Sequence, residues 1–178
     1  PYAYFLAPMM ERSEAFFTEL GVERPAVVIE PGRSIVAEAG LSLYTIGSIK
    51  DIRDIRKYVS VDGGMTDNIR PALYQAEYEG LVANKASEPK DDKVTICGKC
   101  CESGDILIKD CMITGTAKAG DLFAMFSTGA YGFSMASNYN SNPIPAVVLV
   151  KDGKSELIVK RQSYDDMIKN QLMPEMLK

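Results

Sequence analysis

Three of the chain's four cysteines, Cys97, Cys100 and Cys101, fall within five residues, and the last leads into Glu102-Ser103-Gly104-Asp105. Thiols gathered this closely could ligate a metal, cycle between thiol and disulfide, or leave one sulfur to give a proton or act as a nucleophile. A tetrahedral zinc site takes four ligands. Beyond the Cys97-x-x-Cys100 spacing only Cys101 and Cys111 remain, and the chain contains no histidine. If the segment is a strand, its adjacent residues face opposite sides, which separates Cys100 from Cys101. No metal site is therefore expected. A redox pair belongs at a helix start beside a βαβ unit, whereas residues 93–96 read as a strand. One thiol beside a carboxylate in a polar turn remains. A free thiol, with a pKa of about 8.5, is mostly protonated at neutral pH and can deliver a proton. The alternative, a small apolar filler, suits Cys97, Cys100 and Cys111 better than Cys101, whose followers are too polar for a core.

Three further groups could do chemistry. Glu30-Pro31-Gly32-Arg33 follows a short apolar run directly, and α/β folds place ligand groups at the carboxyl ends of such strands. Gly32 would let the backbone approach an anion, and a helix opening at residues 34–39 would offer free amides to a phosphate. A plain turn with a Glu30–Arg33 surface pair explains the same residues. Asp62-Gly63-Gly64-Met65 is followed by Asp67, Asn68, Arg70 and Tyr74. An arginine beside a tyrosine hydroxyl can grip a carboxylate with its planar fork, so Arg33 and Arg70 are candidate carboxylate clamps, against the default of solvated arginines. Last, Gly129-Ala130-Tyr131 gives an aromatic ring room to lie on a flat ligand, although Tyr131 also suits an interface or a core.

The elements that must position these groups are of two textures. Apolar residues at Met9, Met10, Phe16, Phe17 and Leu20 keep a helical period, and Gly21 is placed as a stop. Residues 26–29 form an apolar run without alternation, which predicts a strand covered on both faces. From residue 41 onward the chain turns to short strands, at 41–47, 58–61, 93–97, 105–113, 121–126 and 146–150, separated by Gly, Pro, Asn and Asp. Asp152-Gly153 predicts a hairpin into residues 157–159, and a second helix is predicted near residues 164–171. The expected fold is mainly β, a barrel or sandwich over residues 41–178 with a short terminal helix, preceded over residues 1–40 by one helix–strand piece of an α/β barrel. A complete barrel of that kind needs eight units and about 250 residues. The piece must either pack on the β domain or belong to a larger whole.

Composition bounds the partners. The 178 residues are 46% apolar and 25% charged, as in an ordinary globular protein. Twenty basic against 24 acidic residues give a net charge of −4 without a dense basic run, which argues against a nucleic-acid backbone as partner. Apolar runs such as residues 145–150 are far short of the roughly 20 residues that cross a bilayer. With no signal peptide and no spread disulfide framework, a reducing, cytoplasmic compartment is expected.

Taken in order, EPGRSIVAEAG, VDGGMTDNIRPALY, GKCCESGD and GDLFAMFSTGAYGFSMASNYN followed by PAVVLV resemble the C-terminal portion of the diaminopimelate decarboxylase family, from about residue 1 to residue 164. These are pyridoxal 5′-phosphate enzymes of the alanine racemase-like type, with an N-terminal α/β barrel that carries the cofactor and a C-terminal β domain that completes the site. The resemblance implies loss of CO2 from the D-centre of meso-diaminopimelate to give L-lysine, the last step of lysine biosynthesis. It implies that backbone groups of Glu30, Pro31, Gly32 and Arg33 hold the cofactor phosphate, and that Arg33, Arg70 and Tyr74 hold the distal carboxylate of the substrate. Glu102 would hold the distal ammonium, Cys101 would supply the proton that replaces CO2, and Tyr131 would touch cofactor and substrate. A homodimer is implied too, because in this family the CESGD segment reaches the partner subunit's site. The family's Schiff-base lysine, ring-side histidine and glycine-rich phosphate loop lie upstream of anything resembling Pro1. The chain alone, without that N-terminal barrel half, is therefore expected neither to bind the cofactor covalently nor to decarboxylate. Two other readings compete: a decarboxylase of the same fold acting on ornithine, arginine or a carboxylated polyamine, and a non-catalytic β domain serving dimerisation or regulation.

Overall fold

The computed structural model describes residues 2–177, and the chain divides into two compact units, Pro1–Pro31 and Gly32–Lys178. In the first, helix α1 spans Tyr2–Glu19. It begins seven residues before the Met9 start of the predicted period, and Pro8 lies inside it. Its stop is where the sequence places it: Gly21 takes φ +67°, and the Gly21 and Val22 amides return to the Thr18 and Phe17 carbonyls. A left-handed glycine just past a helix end satisfies the last carbonyls in this way. The Arg24 side chain then ties the following segment back to Glu14, Nε to Oε2 at 2.7 Å. The strand expected at residues 26–29 does not form. These residues have no regular secondary structure, and Val28 is 84% exposed. A parallel strand needs neighbouring backbones for its N–H and C=O groups, and no other strand lies in this unit among the described residues. The apolar run marks a preference for burial, which by itself does not make a sheet.

The second unit is mainly β. After α2 (Gly32–Val36) and a 3-10 turn (Ala37–Ala39) come β1 (Ser42–Ile52), β2 (Arg56–Val61), α3 (Arg70–Tyr74), β3 (Gly80–Val82), β4 (Asp92–Cys97), β5 (Ile106–Ile113) and β6 (Leu122–Met125). Then follow α4 (Gly132–Met135), β7 (Val147–Lys151), β8 (Lys154–Val159) and α5 (Tyr164–Ile168). Six strands form one sheet in the order β3-β6-β1-β2-β4-β5, and the outer strands β3 and β5 lie against each other, so the sheet curls into a nearly closed barrel. Neighbours are antiparallel except β2 and β4, which run parallel with Ser60 opposite Cys97. The helix predicted to open within 34–39 opens at Gly32 instead, and the terminal helix is shorter than expected, fixed by a Ser163–Asp166 capping box. The Asp152-Gly153 hairpin joins β7 to β8, both turn residues at positive φ as a two-residue turn of this type requires.

The core follows from alternation. Tyr44 and Ile46 on β1, Val59 and Val61 on β2, and Phe123 and Met125 on β6 turn inward, while Val94 and Ile96 join from β4 and Leu107 and Ile113 from β5. Phe123, Val59, Ile96 and Met125 are sealed from solvent. Asn68, Thr66 and Asp105 are buried as well, and they all belong to loops that leave the sheet at one place.

Candidate functional site

Because β2 and β4 are parallel neighbours, the loops that follow them emerge side by side. Residues 62–69 follow β2 and residues 98–105 follow β4. The Lys99 amide donates to the Gly63 carbonyl at 3.0 Å, and the Met65 and Cys100 amides donate to the two carboxylate oxygens of Asp105 at 2.7 and 2.8 Å. A third segment, after β6, closes over both. Ser137 donates its amide to the Thr66 carbonyl at 2.8 Å, and the Asn140 side-chain oxygen accepts the Cys101 amide at 2.7 Å. Under the first loop, the Tyr44 hydroxyl donates to Asp67 Oδ2 at 2.6 Å while the Gly64 amide holds Asp67 Oδ1 at 2.8 Å. Burial pushes the Asp67 carboxyl above its ordinary range, against the Tyr44 hydrogen bond that favours its charge. Burial, then the adjacent Asp67 charge, raises the Tyr44 hydroxyl well above its usual value.

On this frame the predicted site residues fall into groups. Arg70 opens α3 and Tyr74 lies one turn on, so the two share a helix face. Tyr131 comes from the third segment and holds the left-handed conformation, φ +67°. A bulky residue there is strained. The Arg70 guanidinium lies 5.1 Å from the ring centroids of both Tyr74 and Tyr131, and its Nε is buried with no hydrogen-bond partner. Among the described residues no carboxylate pairs with it. A guanidinium beside two rings, with its Nε shielded from water and no carboxylate on it among the described residues, is fitted to take an anion. Gly32 belongs to the same group, since a Cβ there would come within 2.5 Å of the Tyr131 hydroxyl. That approach is fixed behind the site by Gly40 and Gly129, whose backbones touch so closely that neither admits a side chain, with the Gly129 amide on the Ala37 carbonyl at 3.0 Å.

Arg33 lies against a different ring, its guanidinium 5.7 Å over that of the buried Tyr78. Glu30 and Pro31 belong to the first unit, where Glu30 is exposed and Pro31 half-buried.

Cys101 and Glu102 form the remaining group. Neither cysteine of the Cys100-Cys101 pair lies on a strand, because β4 ends at Cys97; the two are separated by the turn and by burial, Cys100 half-buried and Cys101 exposed. Cys111 is buried. Among the described residues no cluster of acidic or cysteine side chains is arranged to hold a metal. Glu102 is exposed, and the Gly104 amide and Ser103 hydroxyl hold its carboxyl below the usual range; Tyr139 adds a hydroxyl at 3.5 Å. No hydrogen bond or ion pair among the described residues joins Cys101 or Glu102 to the Arg70 group. An open groove of about 1040 Å³ between α3, β3 and β5 is lined in part by Tyr78, Gly104 and Cys111, but by none of Arg33, Arg70, Tyr74, Tyr131, Cys101 and Glu102. Sequence reasoning missed Asp105, Tyr44 and Asn140 as supports, because what they bond is set by strand order.

The model of a family described as "Pyridoxal-dependent decarboxylase, C-terminal sheet domain" matches residues 15–129. Diaminopimelate decarboxylase of Bacillus subtilis is 52% identical over 165 residues, covering 93% of this chain and 37% of that protein. The Staphylococcus aureus diaminopimelate decarboxylase is 56% identical over 151 residues, covering 85% and 36%. Among solved structures, diaminopimelate decarboxylase from M. jannaschii in co-complex with L-lysine superposes with a TM-score of 0.81 at 35% identity, over 97% of this chain and 39% of that one. The chain thus spans little more than a third of the length of these relatives. No helix among the described residues is long and apolar enough to cross a membrane.

Proposed function

Because the chain belongs to the pyridoxal-dependent decarboxylases, through their C-terminal sheet domain, we propose that it supplies the substrate-binding and proton-donating side of a diaminopimelate decarboxylase. The reaction is loss of CO2 from the D-centre of meso-diaminopimelate to give L-lysine, the last step of lysine biosynthesis. The observation that carries this reading is Arg70, 5.1 Å from the ring centroids of both Tyr74 and Tyr131, with a buried Nε and no acidic partner among the described residues. A substrate with an amino-acid head at each end requires an anion clamp and an acidic partner far from the reacting carbon. Arg70 with Tyr74, aided by Arg33, offers the clamp for the distal carboxylate; Glu102, kept ionised by the Gly104 amide and Ser103, offers the partner for the distal ammonium.

The residues near Gly32 fit a phosphate-bearing flat cofactor. The missing side chain at Gly32 lets the Tyr131 hydroxyl come within 2.5 Å of where a Cβ would stand, which brings that ring beside the turn. In this reading backbone groups of Glu30, Pro31, Gly32 and Arg33 bind the phosphate of pyridoxal 5′-phosphate, and the Tyr131 ring orients cofactor and substrate. The cofactor, when bound, draws electrons from the bond that loses CO2. Cys101, exposed at the tip of its turn, delivers a proton to the carbon that CO2 has left. Residues 1–40 are then the end of the cofactor-binding barrel and residues 41–178 the sheet domain; the rest of the relatives' length supplies the lysine that holds the cofactor. Cys101 and Glu102 stand free of the Arg70 group, which suits a homodimer in which they serve the partner subunit's site. Four free cysteines suit a cytoplasmic setting.

The test is to join this chain to the N-terminal portion of the Bacillus subtilis relative and assay meso-diaminopimelate, ornithine and arginine. Lysine from diaminopimelate by the joined protein, none from the chain alone, and no product from ornithine or arginine is the expected pattern. Turnover of ornithine or arginine in place of diaminopimelate, or none of any substrate by a folded, cofactor-loaded dimer, would overturn it.

A further inference from the structure

The turn that presents Cys101 and Glu102 has little apolar anchorage: residues 101–104 are all exposed. Its geometry depends on two side-chain acceptors that hold consecutive backbone amides. Asp105, 3% exposed, accepts the Cys100 amide on one carboxylate oxygen at 2.8 Å and the Met65 amide on the other at 2.7 Å. Asn140, from the segment after β6, accepts the Cys101 amide at 2.7 Å. The space for the carboxylate is carved by two glycines. A Cβ on Gly98 would come within 2.1 Å of an Asp105 oxygen, and one on Gly64 within 2.5 Å. Asp105 also closes its own turn through backbone bonds, its carbonyl accepting the Gly98 amide and its amide donating to the Glu102 carbonyl. Asn140 holds φ +52°, a region asparagine tolerates better than most residues. Two acceptors from different segments thus fix the peptide planes on either side of Cys100, and with them the direction in which the next two side chains leave the backbone.

We propose that Asp105 and Asn140 are positioning residues for Cys101 and Glu102: they lock the turn that carries the proton donor and the ammonium ligand to the neighbouring loops, and through that lock they set the face from which the proton arrives. The proposal rests on the decarboxylase reading for its chemical consequence. In Asp105→Asn one acceptor oxygen becomes an NH2 group that opposes a backbone N–H, so one of the two amides loses its partner. Asn140→Ala removes the acceptor of the Cys101 amide at an exposed position outside the sheet, and its backbone cost at positive φ falls on the segment after β6.

Both variants are made in the joined protein. Asp105→Asn lowers kcat/KM for diaminopimelate about 100-fold, as a misplacement of about 1 Å does, and Asn140→Ala by roughly 10-fold, the scale of one net hydrogen bond. The decisive readout is the configuration of the label when the reaction runs in D2O. The native protein places deuterium on the decarboxylated carbon in one configuration, and the variants give a mixture. Fewer folded molecules would lower the rate without altering the product of each turnover, so a purely structural role predicts slower but stereochemically pure labelling; that result would overturn the proposal, as would native rates in both variants. Amide hydrogen exchange on this chain separates the two claims. Faster exchange at Met65 or Cys100 in Asp105→Asn, with β2 and β4 still protected, supports the lock even if the joined native protein makes no lysine, and unchanged exchange at both refutes it. If Asp105→Asn does not fold, Asn140→Ala decides through its label and through exchange at Cys101.

Discussion

Two loop clusters of the sheet domain are both polar and differ in where their charges end. In the cluster built from residues 83–91 and 114–121, Lys85 pairs with Asp121 at 2.7 Å, and Asn84 and the Lys118 amide bind the same carboxylate. Thr114 and Thr116 both donate to Glu88, and the Gly115 amide donates to Asp91. Its principal acidic groups are satisfied from within. In the cluster of residues 62–70, 98–105 and 131–142, internal closure stops at the supports: Asp67 is held by Tyr44 and Gly64, and Asp105 by Met65 and Cys100. The groups those supports carry, Arg70 and Glu102, have no opposite charge within ion-pair distance among the described residues. A polar cluster that neutralises itself holds a fold together. One that stabilises its frame and leaves its outward charges unpaired has its partners still to come, and a dipolar substrate supplies both signs.

The largest effect should come from the group with least structural work. Cys101 is exposed and its amide, not its thiol, makes the link to Asn140. Cys101→Ala in the joined protein should lower kcat by about 10²–10⁴-fold, the usual range for a lost proton-transfer group, with Tm unchanged. Lysine release under saturating diaminopimelate checks the rate, and circular dichroism on heating checks the fold. A wild-type rate would remove Cys101 as the proton source.

How much of this division could be read from sequence depends on how far apart its parts lie along the chain. Arg70 and Tyr74 are four residues apart, and helical spacing alone puts them together. Tyr131 reaches Arg70 only after the chain has passed through β3 to β6, so its role in the sequence rested on resemblance and small neighbours. Asp105 was visible as one polar residue of ESGD, but its burial follows from β2 and β4 being parallel, which short strands with turn residues between them do not announce. The three-residue β3 is too short for alternation to register, and β1 runs on to Ile52 through polar residues because β2 pairs with it to that point. The apolar residues 26–29 failed the other way: their composition is that of a covered strand, and no strand among the described residues pairs with them.

Arg70 should separate binding from stability. Replacing it with Met removes a buried Nε that has no partner to orphan, at the loss of its two ring contacts, so the sheet domain should stay within roughly 1 kcal/mol of its former stability. In the joined protein the KM for diaminopimelate should rise about 10–100-fold, matching roughly 1.5–3 kcal/mol for a charged hydrogen bond, with a smaller change in kcat. If Tm falls while KM holds, Arg70 belongs with the self-neutralised cluster.

Lys85 supplies the opposite case and the smallest effect. Its ammonium is the first of the influences that hold the Asp121 carboxyl down at about 2, with Asn84 and the Lys118 amide contributing after it. A carboxylate whose pKa is lower in the folded chain than the ordinary value of about 3.9 adds stability that is complete above that value and is lost as pH falls through it toward about 2. Lys85→Met takes away the largest of these influences and leaves the other two. The variant should therefore melt a few degrees below the parent at pH 7, and the gap should shrink as pH is lowered from about 4 to about 2, where a protonated Asp121 no longer distinguishes Lys85 from Met. Calorimetric Tm values at pH 7, 4 and 2.5 would trace that convergence. Lysine production at pH 7 should be untouched, since among the described residues no hydrogen bond or ion pair joins this cluster to the loops that carry Arg70 or Cys101; a drop in kcat/KM with the fold intact would mean that the two clusters are coupled.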